Sequence, residues 1–112
     1  MVVLVCGGRD YKDRNLVFRV LDSFLFDELV HGACPTGADF FADMWARNRG
    51  HKKVKTYPAD WDAHGRAAGP IRNAFMLDDA KPNFVIAFPG GPGTANMVAL
   101  ATGKVPVLKV DW

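Results

Sequence analysis

Phe84-Val85-Ile86-Ala87 runs without a polar side chain into Phe88-Pro89-Gly90-Gly91-Pro92-Gly93-Thr94, and Ala95 to Ala101 follows with helical composition before Gly103. A short, continuous apolar run is the signature of a strand buried on both faces. Such strands belong to parallel sheets covered by helices on each side. The turn between them carries a second constraint. Glycines lack a Cβ, so their backbone N–H groups can approach an anion closely, and the dipole of the following helix favours negative charge there. The turn is neither a Walker A loop nor a dinucleotide GxGxxG, and no lysine follows the glycines. An anion would be held mainly by backbone N–H groups and Thr94. The plainer alternative is a tight strand-to-helix turn with Gly93 or Thr94 opening the helix, Thr94 as its N-cap.

The same unit recurs along the chain. Val2 to Cys6 is a second continuous apolar run, ending in Gly7-Gly8. Asp13 is placed to cap a helix reaching about Phe26, with Leu16, Val17, Val20, Leu21, Phe24 and Leu25 on one face. Glu28 to His31 reads as a strand and Gly32 to Gly37 as another glycine-containing turn. Ala38 to Arg49 reads as a helix ended by Gly50, with Trp45 on its apolar face. Lys53 to Tyr57 is a third strand. Pro58 to Gly69 reads as irregular, and Pro70 starts a helix to about Asp79. Asn83 to Phe88 is the fourth strand and Val105 to Val110 the fifth, which Pro106 places at an edge.

Strands alternating with helices predict an α/β fold. We expect a Rossmann-like three-layer domain with a five-stranded parallel sheet in the order 3-2-1-4-5, forming one domain over residues 1–112. In that order strands 1 and 4 flank the topological switch point, where open α/β sheets bind ligands beyond the carboxyl ends of their strands. The turn at Gly7-Gly8 and the turn at Pro89 to Thr94 then face each other across one crevice.

Composition narrows the function classes. With 49% hydrophobic residues in 112, a core forms without disulfides, and Cys6 and Cys34 belong to no framework or ligand motif. Fourteen basic against 12 acidic residues leave a charge of only +2. A dedicated nucleic-acid binder is therefore not expected. The run Arg47, Arg49, Lys52, Lys53 and Lys55 keeps that reading open as an alternative, beside a solvated helix end. No targeting segment and no membrane span are apparent, so a soluble, cytoplasmic protein is expected.

Four groups of side chains carry chemistry. In Gly7-Gly8-Arg9-Asp10-Tyr11, Arg9 can pair with a phosphate, Asp10 with ribose hydroxyls, and Tyr11 can stack on a base. The alternative is a turn with an Arg9–Asp10 surface pair. Thr36-Gly37-Ala38-Asp39 resembles a capping box, in which Asp39 serves the cap, or else it fixes the neighbouring loop or a ligand. Asp60, Asp62 and His64 alternate and would share one side of an extended chain. Their spacing matches no strong metal motif, so no metal is expected, and a loop lid over the crevice is the preferred reading. Arg72 and Asn73 fall in the first turn of the helix opened by Pro70. The helix dipole disfavours a cation there and a bound anion reverses the sign, which makes Arg72 the leading side chain for function.

Taken together, these segments resemble the SLOG superfamily, the Rossmann-like proteins related to the Lonely Guy cytokinin-activating enzymes and to the DNA-processing proteins of natural transformation. Within it the chain is most similar to the YspA/YpsA-related group. The resemblance spans Val2 to Val110. It rests on Gly7 to Asp10, Thr36 to Asp39 with Trp45-Ala46, Pro58 to Trp61, Ala68 to Asn73 with Met76, and Phe88 to Thr94. It implies a nucleotide or nucleotide-derived ligand at the crevice. Lonely Guy enzymes cleave the N-glycosidic bond of nucleoside monophosphates through a PGGxGTxxE motif and a helical arginine. Pro89 to Thr94 matches the phosphate part and Arg72 the arginine, while the glutamate position is Met97.

A thioether can neither move a proton nor stabilise an oxocarbenium-like sugar. The first expectation is therefore a binding domain of sensor or carrier type, with no cofactor. Its ligand contacts are Gly7, Gly8, Arg9, Asp10, Arg72, Asn73, Gly90, Gly91, Gly93 and Thr94. The alternative is a phosphoribohydrolase in which Arg72 acts with a carboxylate relocated to Asp10, Asp39 or Asp60. Homo-oligomerisation is expected as well, through a helix face such as that of Phe18 or Phe24.

Overall fold

A computed structural model describes residues 1–50 and 53–112. Five strands, β1 (Val2–Cys6), β2 (Glu28–His31), β3 (Lys53–Thr56), β4 (Phe84–Ala87) and β5 (Val107–Lys109), form one sheet in the order β3-β2-β1-β4-β5. Every pairing is parallel. The expected topology is thus the observed one. The two inner strands β1 and β4 are the continuous apolar runs, with Val3 opposite Phe84 and Cys6 opposite Ala87. The edge strands β3 and β5 are mostly exposed, and Pro106 precedes the latter.

Alternate side chains of the sheet feed two cores. Val3, Val5, Leu29, Ile86 and Phe88 face α1 (Arg14–Asp22) and α2 (Gly37–Asn48), where they meet Val17, Leu21, Ala42 and Trp45. Leu4, Cys6, Val30, Val85 and Ala87 face α4 (Ala68–Ala80) and α5 (Pro92–Ala101), where they meet Met76, Leu77, Met97 and Val98. Trp45 is a core residue, as its place on the apolar face predicts.

Three local expectations are corrected. The first helix ends at Asp22 and not near Phe26: the Ser23 hydroxyl donates to the carbonyl of Val20 at 2.5 Å, and the chain leaves the helix. Tertiary packing overrides the periodicity there, because Phe24 packs on Phe84 and Phe26 stacks on Trp45, at 5.3 and 5.4 Å between ring centroids. The segment Pro58 to Gly69 is not irregular. It holds α3 (Trp61–His64), a 3-10 turn (Gly65–Ala67) and the first residues of α4. The last helix opens earlier than expected, with Gly91 as N-cap and Pro92 at its first position, so Thr94 is its third residue and is buried.

Candidate functional site

A cavity of about 630 Å³ opens beyond the carboxyl ends of β1, β2 and β4, within the range of small-molecule sites. Its walls are the turn Gly7 to Tyr11, the turn Pro89 to Thr94, the residues Gly32 and Cys34 after β2, and the α4 residues Gly69, Arg72, Asn73 and Met76. The two glycine turns touch: the Gly8 N–H donates to the Pro89 carbonyl at 2.9 Å. Close approach requires glycine here, since a Cβ on Gly90 would come within 2.6 Å of the Gly8 nitrogen. The α5 N-terminus beside them receives no side-chain cap. Its first N–H groups have no intrahelical acceptor, which is the electrostatic setting of an anion site.

Of the residues expected from sequence to meet a ligand, Gly7, Gly8, Arg9, Asp10, Gly90, Gly91, Gly93 and Thr94 line this cavity. Arg9 and Asp10 are exposed at its mouth and make no ion pair or side-chain hydrogen bond among the described residues. The surface pair that was the alternative for them is absent. The Arg9 main chain is fixed instead, because its carbonyl accepts from the Thr36 hydroxyl at 2.8 Å.

Arg72 and Asn73 also line the cavity, yet their local setting differs from the one expected. The helix begins at Ala68, so both lie in its second turn, beyond the reach of the N-terminal dipole argument. The Arg72 guanidinium is already engaged. Nη1 donates to the carbonyls of Gly32 at 2.6 Å and Tyr57 at 3.1 Å, and Nε donates to the Asn73 side-chain oxygen at 2.8 Å. Asn73, 4% exposed, passes the network on by donating to the Gly93 carbonyl and to the Asn96 side-chain oxygen, both at 3.1 Å. This relay ties the ends of β2 and β3 to the first turn of α5. Of the two cations that line the cavity, Arg72 is committed to the scaffold and Arg9 is unengaged.

The three candidate carboxylates separate. Asp60 caps α3, accepting from the Ala63 N–H at 3.0 Å, and does not line the cavity. Asp62 and His64 lie exposed on that same four-residue helix, and no metal-binding group of three His, Cys, Asp or Glu side chains assembles among the described residues. Asp10 stands at the mouth. Asp39 lies inside, 6% exposed, and it does not close a capping box, since Thr36 makes no side-chain cap bond. Its carboxylate accepts from the Cys34 N–H at 3.3 Å, so Asp39 fixes the neighbouring loop. Burial pushes its pKa above the usual carboxylate value, opposed by His31, the Cys34 amide, Arg72 and the Gly32 amide.

Other walls are chemically quiet. Burial pushes the Cys6 thiol up to about 12, with Asp39 adding to the shift and Arg72 opposing it, so Cys6 stays a protonated, non-nucleophilic thiol. Met97 is fully buried in the floor. Tyr11 lines the wall with its ring against Phe88, 5.5 Å between centroids. Beside these stands a residue that sequence reasoning missed: Trp61, 51% exposed, lines the same cavity from α3. Its sequence signals were an aromatic in a segment rich in carboxylates and a place at the end of the Pro58 to Trp61 stretch of the resemblance.

Comparison with known proteins places the chain in a family. Residues 1–64 match the model of the YAcAr family, described as the YspA, cpYpsA-related SLOG family. The chain belongs to that family. It is also 37% identical over 98 residues to the Gene 61 protein of Mycobacterium phage D29, covering 80% of this chain and 77% of that protein. Membership of the SLOG group supports a nucleotide-related ligand-binding or Lonely Guy-like role in general terms.

The rest of the surface of this SLOG chain adds little to a nucleic-acid reading. Within the basic run, Arg47 pairs with Asp43, Arg49 with Asp22 and Lys55 with Asp79, while Lys52 lies outside the described residues. Among the described residues no helix is long and apolar enough to cross a membrane. Phe18 and Phe24, expected to meet a second copy, are half-buried against the chain's own core, with Arg14 and Arg49 over the Phe18 ring.

Proposed function

We propose that the chain binds a nucleotide or nucleotide-derived phosphate ligand in the switch-point cavity, as a sensor or carrier. The observation that carries this reading is the pairing of the two glycine turns around an uncapped helix N-terminus, with the unengaged Arg9 at the mouth. The phosphate sits on the N–H groups of Gly90, Gly91, Gly93 and Thr94, and Arg9 supplies the mobile positive charge. Asp10 takes the sugar hydroxyls. Arg72 and Asn73 hold the wall on which the ligand rests. Residues 1–112 act as one unit, and a second copy pairs with it; a monomer mass in light scattering would reject that pairing.

Asp39 supports a second reading. A buried carboxyl with a raised pKa inside a phosphate cavity is what a phosphoribohydrolase needs in place of the glutamate that Met97 lacks. Such a group donates a proton to the departing base as water adds to the ribose C1' and gives up its own proton to solvent, while the glycine turn holds the 5'-phosphate.

One experiment tests both readings. A thermal-shift screen of nucleoside mono-, di- and triphosphates, cyclic nucleotides, ADP-ribose and ribose 5-phosphate is run on the parent, Arg9→Ala and Gly90→Ala. Chromatography of each mixture follows. Binding predicts a shift in the parent that falls about tenfold or more in affinity in Arg9→Ala, given about 1.5–3 kcal/mol for a charged hydrogen bond. It is lost in Gly90→Ala with the fold retained by circular dichroism. Intact recovery of the ligand supports the sensor, and free base supports the hydrolase. No shift with any compound overturns both.

A further inference from the structure

We propose that Trp61 is a base-stacking platform, and hence that the cavity selects ligands carrying an aromatic base over ribose phosphate alone. The proposal rests on the binding reading above.

Trp61 stands apart from the other large aromatics near the site. Tyr11 already packs on Phe88, and Tyr57 is buried with its edge to Phe75, 5.8 Å between centroids. Trp112 donates its indole N–H to the Ala87 carbonyl at 3.0 Å, with Lys109 over its ring. Trp61 is half exposed, lines the cavity, and has no hydrogen-bond, ring or cation partner for its indole among the described residues.

The short helix that carries the indole is fixed at both ends. Asp60 caps the helix that carries it through its side chain, the His64 N–H donates to the Asp60 carbonyl at 3.1 Å, and Gly65 closes the far end on the Trp61 carbonyl. The indole edge lies near Gly69, where a Cβ would meet its Cη2 at 3.5 Å. An exposed indole on a capped helix at the cavity wall, whose glycine turns lie in the same lining, suits a flat apolar ligand part tethered to an anion. A nucleobase on a ribose phosphate has that form, and every base offers a π-face to the ring.

Isothermal calorimetry with AMP, GMP, CMP, UMP and ribose 5-phosphate tests the proposal on the parent, Trp61→Ala and Trp61→Phe. Trp61→Ala is expected to weaken the nucleotides by roughly 5- to 150-fold, the range that base–aromatic stacking gives on alanine substitution. Ribose 5-phosphate affinity stays unchanged, and Trp61→Phe recovers most of the nucleotide affinity. Nucleotides that bind the parent and Trp61→Ala equally well would sink the platform and leave the binding reading intact. Ribose 5-phosphate losing as much as the nucleotides, or binding the parent as tightly as they do, would also sink it. No binding of these nucleotides to the parent, with no shift in the wider screen above, defeats the reading beneath it.

Discussion

Asp22 and Asp39 lie at opposite ends of the helix pair α1 and α2, and the protein treats the same side chain in opposite ways. Asp22 is exposed and holds two elements together. Its carboxylate accepts from the Arg49 guanidinium at 2.9 and 2.8 Å and from the Trp45 indole at 2.8 Å, and Arg49 first and Trp45 second bring its pKa down to about 2. Asp39 is buried at the crevice and its pKa is pushed up. The first arrangement favours the charged form, as a structural pair does. The second keeps a carboxyl where burial opposes its charge, next to Arg72, which is itself spent on two carbonyls. The two carboxylates thus mark opposite electrostatic settings at the two ends of the helix pair.

The largest expected effect tests whether Arg72 belongs to the scaffold side of this contrast. Arg72→Ala leaves the Gly32 and Tyr57 carbonyls and the Asn73 side-chain oxygen without their donor. Loss of about 3 kcal/mol in urea unfolding is expected, from hydrogen bonds made by a charged donor and the carbonyls left unpaired. Full stability with abolished ligand binding would move Arg72 to the ligand side and restore the role expected for it from sequence.

Asp39→Asn follows, with the opposite sign. Because the native pKa is raised, the folded state binds more protons than the unfolded one between about pH 4 and that raised value. Parental stability therefore contains a part that falls as pH rises through this window. The asparagine variant lacks that part. The difference between the two pH–stability curves is expected to be near zero below about pH 4 and to grow in favour of Asp39→Asn as pH rises towards 7. A variant less stable than the parent at pH 7 would show that the Cys34 and Gly32 amides outweigh burial, and the contrast with Asp22 would vanish.

What could be read from the sequence follows a physical line. β1 and β4 are unbroken apolar runs that end in glycines, so their burial, their neighbouring positions and the meeting of their turns were all legible before any coordinates. The same holds for Trp45, whose helical spacing puts it in the core. Elements decided by distant contacts were not legible. Ser23 ends α1 because Phe24 and Phe26 find Phe84 and Trp45, which no local pattern announces. At four residues, α3 is too short to show a period. Arg72 has acceptors 40 and 15 residues away, so its cationic side chain read as free. Trp61 was hidden for a related reason, since exposure within a concave wall is a tertiary property.

Asp22→Asn gives the smallest effect and defines the structural end of the contrast. A depressed native pKa contributes stability that is fully present above the unfolded carboxylate value near pH 4 and is lost as pH falls through about 2. The asparagine variant should therefore be slightly less stable than the parent at pH 7 and converge on it as pH falls through about 2. The pair is exposed, so solvent and salt screen it, and its oxygen can still accept from the Trp45 indole after substitution. Denaturant midpoints at pH 2, 4 and 7, each in low and 1 M salt, test this. The expected variant curve is flatter between pH 4 and 2, and the difference shrinks in salt. A large, salt-insensitive loss at pH 7 would mean that Asp22 acts as a buried partner of Trp45 and Arg49. Both ends of the helix pair would then carry desolvated carboxylates, and the contrast between Asp22 and Asp39 would vanish.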